Sequence, residues 1–234
     1  MKRILKILGV LIGVLLLGLI LWGVIENESL PEGKTGPEAE ALAHKMLTAL
    51  NHEKYNDTRF LEWSYQGGKN HYIWDKEMGR CNVKWDDFEV NLNLVNPKKS
   101  KVKKTGVTLI GEEGEKAIEK ALAYFNNDSF WLVAPYKVFD KGTTRSIVLL
   151  EDGTQGLMVT YSSGGTTPGD SYLWKLNPNG FPNSYKMWVQ LIPIGGVEAT
   201  WDDWMVSKSG AFLPKSHELG PIELSMGNVK GYNE

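Results

Sequence analysis

Few residues in this chain are of a type and spacing that could do chemistry. Four histidines are present. His44 and His52 stand eight apart in a helical stretch, but zinc needs three or four convergent ligands, so they read as solvent-facing helix residues. His217 stands alone near a turn. Cys81 is the single cysteine, which excludes a disulfide framework and any multi-cysteine metal site. It reads as a small core filler in a strand. Two Asp-Asp pairs are bracketed by aromatics, Trp85-Asp86-Asp87-Phe88 and Trp201-Asp202-Asp203-Trp204. Adjacent aspartates on a strand point to opposite faces, and calcium needs six or more oxygens, so neither pair reads as an ion site. The first pair reads as a strand turn. There is no G-x-S-x-G, no H-E-x-x-H and no phosphate-binding glycine loop. The expectation is a non-enzyme with no catalytic residue, no metal and no cofactor.

Two signals concern binding. Lys98, Lys99, Lys101, Lys103 and Lys104 crowd into seven residues. They suit either anionic lipid headgroups or a solvated edge strand, where lysines block edge-to-edge pairing, and the second reading is preferred. The louder signal is aromatic: eight of the nine tryptophans follow residue 31. Most fall on strand-like segments, and in Ser171–Leu176 and Tyr185–Val189 the apolar residues occupy both faces. One reading is a sheet curved round an apolar cavity lined by Trp63, Tyr65, Trp74, Leu92, Trp131, Val159, Trp174 and Trp188. The other is a platform of exposed rings, Trp201 and Trp204 among them, stacking on sugars. Most of the rings must in any case build the core.

The elements that position these residues follow from periodicity. Lys2, Arg3 and Lys6 precede an apolar run, Ile7–Ile25. At helical rise it spans roughly 28 Å, about one hydrocarbon core. The positive flank should stay cytoplasmic. No small-x-small site ends the run, so residues 1–26 read as a retained anchor rather than a cleaved signal, with residues 4–25 in the bilayer. Residues 27–37 read as a tether and 38–234 as one exported domain. Thr35 and Glu38 suggest a capped start to a helix over 37–51. Alternation from Thr58 to Leu94 predicts short antiparallel strands. A helical stripe returns over 111–127, closed by Asn126-Asn127-Asp128. Strands are then expected at 146–151, 155–162, 170–176, 184–192, 197–206 and 216–226. The fold class is α+β: a large curved antiparallel sheet, an open half-barrel, with two helices on its concave face and an N-terminal transmembrane helix. A net charge of −2 and a pI near 6.1 argue against a nucleic-acid partner.

Some of these segments resemble a known family. His71-Tyr72-Ile73-Trp74-Asp75-Lys76 with Gly79-Arg80, Asp128-Ser129-Phe130-Trp131-Leu132 with Pro135-Tyr136-Lys137, and the Leu173–Gly180 hairpin look like a group of bacterial envelope proteins. That group is similar to the periplasmic lipoprotein carriers and receptors of the LolA/LolB type. The resemblance covers roughly residues 40 to 226 and implies an open half-barrel closed by helices over a cavity for acyl chains, without covalent chemistry. A retained anchor departs from a free shuttle. The expected function is a membrane-tethered, single-pass binder of a lipid or lipoprotein acyl chain outside the inner membrane, with an envelope protein as a further partner. The alternative is an envelope-interaction or carbohydrate-binding module.

Overall fold

A computed structural model describes residues 27–234. The expected anchor, residues 1–26, lies outside the described residues. Two helices come first, α1 (Pro37–Ala49) and α2 (His52–Asp57). Six strands follow: β1 (Phe60–Tyr65), β2 (Asn70–Asp75), β3 (Arg80–Trp85), β4 (Phe88–Asn93), β5 (Lys101–Lys104) and β6 (Val107–Leu109). The long helix α3 (Gly111–Val133) leads to β7 (Thr143–Leu149), β8 (Gln155–Tyr161), β9 (Ser171–Leu176), β10 (Pro182–Trp188) and β11 (Val197–Thr200). The last strands are β12 (Asp203–Val206), β13 (Phe212–Leu219), β14 (Ile222–Ser225) and β15 (Lys230–Tyr232).

The class is α+β with two antiparallel sheets that do not close. One runs β15-β1-β2-β3-β4-β5-β6, the other β12-β13-β11-β10-β9-β8-β7 with β14 on β13. The sheets meet at one seam. Met226 donates its N–H to the Lys215 carbonyl (2.8 Å) and accepts from the Ser64 N–H (3.1 Å). Strand alternation then gives each sheet an inner face. In the first, Trp63 sits opposite Tyr72, Tyr72 opposite Val83 and Val83 opposite Val90. In the second, Leu157 sits opposite Trp174, and Trp174 opposite Tyr185. Both inner faces, α1 and α3 share one buried cluster. The helix α1 packs on β7 and β8, pinned by Arg145 Nε donating to Glu40 at 2.8 Å, and α3 packs on β3, β4 and β5.

Several expectations need correction. The helix at 111–127 continues to Val133, because the carboxylate of Asp128 is turned inward to donors on β2 and Phe125, Ser129 and Leu132 extend the buried stripe. The segment 197–206 is two strands broken at Trp201-Asp202, and 216–226 lies in a hairpin, β13–β14, turned at Gly220. The strand over 184–192 stops at Trp188. The cap of α1 is Gly36, at φ 138°, and no side chain caps it. The lysine-rich β5 is not an edge, since β6 pairs outside it. The Asp86-Asp87 pair does form a hairpin turn, with Asp86 at φ 47°, and Cys81 is fully buried in the core.

The expected tether also has a definite course. Glu28 donates its N–H to the Gly195 carbonyl (3.0 Å), and Lys34 exchanges two backbone hydrogen bonds with Ile147 on the β7 edge. Between them the chain runs along the outer face of the second sheet. At Gly33 any Cβ would lie 2.2 Å from Ser146 Oγ, so only glycine permits this approach.

Candidate functional site

The inner face is an aromatic layer. Trp63 stacks on Tyr72 with ring centroids 4.5 Å apart, and Trp74 meets Phe125 of α3 edge-on at 5.1 Å. In the second sheet Trp174 lies edge-on to Tyr185 (4.9 Å) and Trp201 (5.1 Å), and Phe130 of α3 packs against Tyr161 and Tyr172. Such edge and offset contacts are the favoured aromatic geometries. Of the eight predicted lining residues, Trp63, Tyr65, Leu92, Trp131, Val159 and Trp174 are buried in this layer, and Trp74 packs against it partly buried. Trp188 does not join them. It sits on the opposite face of β10 beside Val148, Met158 and Leu173, and its indole N–H donates to the Glu28 carbonyl at 2.8 Å. The two-sided apolarity of β9 and β10 therefore reflects a second, outer cluster.

The layer has an unusual polar character. The indole N–H groups of Trp63, Trp74, Trp85 and Trp174 and the hydroxyl of Tyr161 are buried without a hydrogen-bond partner, and Trp201 and the Tyr185 hydroxyl have at most one another. Buried tryptophan and tyrosine ordinarily find acceptors, and each orphaned group costs about 1–3 kcal/mol. Burial also pushes the phenols of Tyr161 and Tyr185 well above their ordinary value of 10.0, so they stay protonated donors.

Two polar groups beside the layer were not singled out for a role from sequence. Asp128 of α3 is fully buried and accepts from Asn70 Nδ2 (2.9 Å), Asn127 Nδ2 (2.8 Å) and the Tyr72 hydroxyl. Burial raises its carboxyl above 3.8 against the pull of those donors. The available signal was its spacing, three after Phe125 and four before Leu132, inside the apolar stripe. His217 of β13 is also buried. Its Nδ1 lies 2.8 Å from the Thr200 carbonyl and its Nε2 2.7 Å from the Trp131 carbonyl.

Grooves open at the surface of the described residues. One, of about 490 Å³, lies between β5, β6 and the start of α3, over Val102, Leu109 and Ile118. Another, of about 310 Å³, lies beside Met205, Val229 and Tyr232. None of the eight predicted residues lines either groove. Trp201 is fully buried and Trp204 donates to its carbonyl, so Trp201 offers no face to a sugar. Among the described residues, no group of three or more His, Cys, Asp or Glu is placed to hold a metal, and no helix is long and apolar enough to cross a membrane.

No family model, curated protein or solved structure matches this chain. Its functional reading therefore rests on the geometry of its own residues.

Proposed function

We propose that this chain is a membrane-tethered binder of a hydrophobic ligand, a lipid or the acyl chain of a lipoprotein, and that it performs no covalent chemistry. The observation carrying this reading is the set of buried indole and phenol donors without acceptors in one aromatic layer. An acyl chain that brings ester or carboxyl oxygens meets both demands of such a layer, apolar contact and hydrogen-bond acceptance. In this reading the two sheets, joined at Met226, act as halves of one open half-barrel, with α1 and α3 on its concave face. The helix α3 is the cover, and the 490 Å³ groove at its N-terminal end is where a guest starts to part it from the first sheet. Burying about ten methylenes returns roughly 8 kcal/mol, enough to offset a displaced helix contact.

The location belongs to the same proposal. The basic start and the apolar run Ile7–Ile25 favour a single-pass inner-membrane anchor with residues 27–234 outside the cytoplasm. A tethered binder hands its guest to or from another envelope component rather than carrying it freely.

The test is native mass spectrometry of residues 27–234 prepared without detergent, since both sheets and helices α1 and α3 contribute to one core. A bound mass in the lipid range, released by organic solvent, supports the reading. A bare chain that also takes up no added fatty acid contradicts it.

A further inference from the structure

Asn27 is the second residue after Ile25, the last of the apolar run, and its side chain is fixed to the folded domain. Asn27 Oδ1 accepts from the Gly195 N–H at 2.8 Å, and the Glu28 N–H donates to the Gly195 carbonyl at 3.0 Å. Two further contacts hold the junction: Trp188 Nε1 on the Glu28 carbonyl, at 2.8 Å, and Lys186 Nζ on the Glu28 carboxylate, at 2.6 Å. Gly195 is required there, because a Cβ would fall 2.5 Å from the Trp188 ring and 2.6 Å from the Glu28 carbonyl oxygen.

This sets a distance. Two residues of fully extended chain reach only about 7 Å. The headgroup layer on each side of a bilayer is about 5–8 Å thick. If residues 7–25 span the bilayer, the β10–β11 loop cannot stand clear of the headgroups. The loop is also composed for that place. No charged residue occurs from Met187 to Val197. At its tip Leu191 is 69% exposed, and Leu30 on the adjoining strap is 51% exposed. Pro193 is exposed and Ile194 partly so. A half-buried tryptophan at the same level, Trp188, matches the preference of indoles for the interface.

We infer that the β10–β11 loop, residues 189–196, is a second membrane-contact site that lays Leu191, Pro193 and Ile194 on the lipid surface and fixes the domain's orientation on its anchor. This rests on the anchored reading of residues 4–25. It goes beyond that reading, because a flexible tether would leave the orientation free. The loop is braced from within the domain: Gln190 donates its N–H to Asp170 Oδ1 (2.9 Å) and its side-chain amide to the Pro168 carbonyl. The glycine-rich β8–β9 loop, residues 162–170, is thereby placed at the same end, and its Thr166 accepts from Asn126 of α3 at 3.4 Å. Helix α3, the proposed cover, is thus in contact with the end that faces the bilayer.

The test uses the full chain in phosphatidylcholine vesicles, with an environment-sensitive fluorophore on L191C and, separately, on E151C in the β7–β8 turn at the opposite end. The native Cys81 is buried and does not compete for label. Bromine on the acyl chains near the headgroup should quench the probe at 191 severalfold more than the probe at 151, while an alkaline wash leaves the chain in the membrane. Equal quenching at both positions with the chain retained overturns the loop contact and leaves the anchor standing. Release of the chain by the wash overturns both.

Discussion

Both ring nitrogens of His217 face carbonyl oxygens, one of them the carbonyl of Trp131 at 2.7 Å. This contact ties the C-terminal part of α3 to β13, and so joins the proposed cover to the second sheet. A neutral imidazole donates to only one of the two carbonyls, whereas an imidazolium donates to both. Burial opposes the charge and holds the ring below its ordinary 6.5, with Thr200, Trp131, Asp202 and Asp203 pulling the other way.

Acid should destabilise the fold through this histidine, because the charge it adds is buried. The unfolded chain takes up the proton near pH 6.5 and the folded chain only at lower pH, so the unfolded state binds more protons in that window. Stability falls as pH drops below 6.5 and levels off beneath the folded value. Thermal unfolding from pH 7.5 to 5 should show this slope in the wild type and a flatter one in His217→Gln, whose absolute stability is lower throughout. Parallel slopes would remove His217 as the cause.

Asp128 carries the opposite sign. Its carboxyl is raised in the folded chain, so the stability it contributes is fully present below 3.8 and is lost as pH rises through the folded value. Asp128→Asn keeps an acceptor for the Tyr72 hydroxyl and removes the buried charge. Its stability relative to the wild type should improve from about pH 4 to pH 7. Asp128→Ala leaves Asn70 and Tyr72 without their acceptor and should cost about 1–3 kcal/mol for each orphaned group. Denaturant unfolding at the two pH values checks both.

The strap over residues 27–34 depends on small residues beneath it. Gly195→Ala should force the Glu28 carbonyl and the Trp188 ring apart, at a cost of about 1–3 kcal/mol if the core resists. Amide exchange should accelerate at 28 and 34 while the amides of β2 and β3 keep their protection. Unchanged exchange at 28 would show that the strap accommodates the added methyl.

Trp174 and Trp188 separate the inner layer from the outer face. Trp174→Ala should destabilise by about 3–5 kcal/mol, as for any fully buried tryptophan. Trp188→Ala should cost less, because its ring is only partly buried, and should leave uptake of an acyl ligand unchanged. Loss of uptake on replacing Trp188 would move the site to the outer face.

The hairpins from β1 to β4 could be read directly from Leu61, Trp63 and Tyr65 against Tyr72 and Trp74, because strict alternation has one structural solution when a single face is buried. The outward turn of Trp188 was not legible. In Tyr185-Lys186-Met187-Trp188 both faces carry apolar bulk, and only the strap and the outer cluster explain the second. The split at Trp201-Asp202 was hidden because the strand-like composition continues across it. The reach of α3 past Asp128 was hidden for a related reason. Asn-Asn-Asp signals a helix end locally, and donors on β2, distant in sequence, override it.

The central claim is that the aromatic layer between α3 and the sheets admits a guest. The most direct measurement is tryptophan fluorescence of residues 27–234 titrated with a brominated fatty acid, in the parent and in Trp174→Phe. Saturable quenching that is reduced when Trp174 is replaced is the predicted result. Fluorescence that stays constant to the solubility limit of the fatty acid would contradict it.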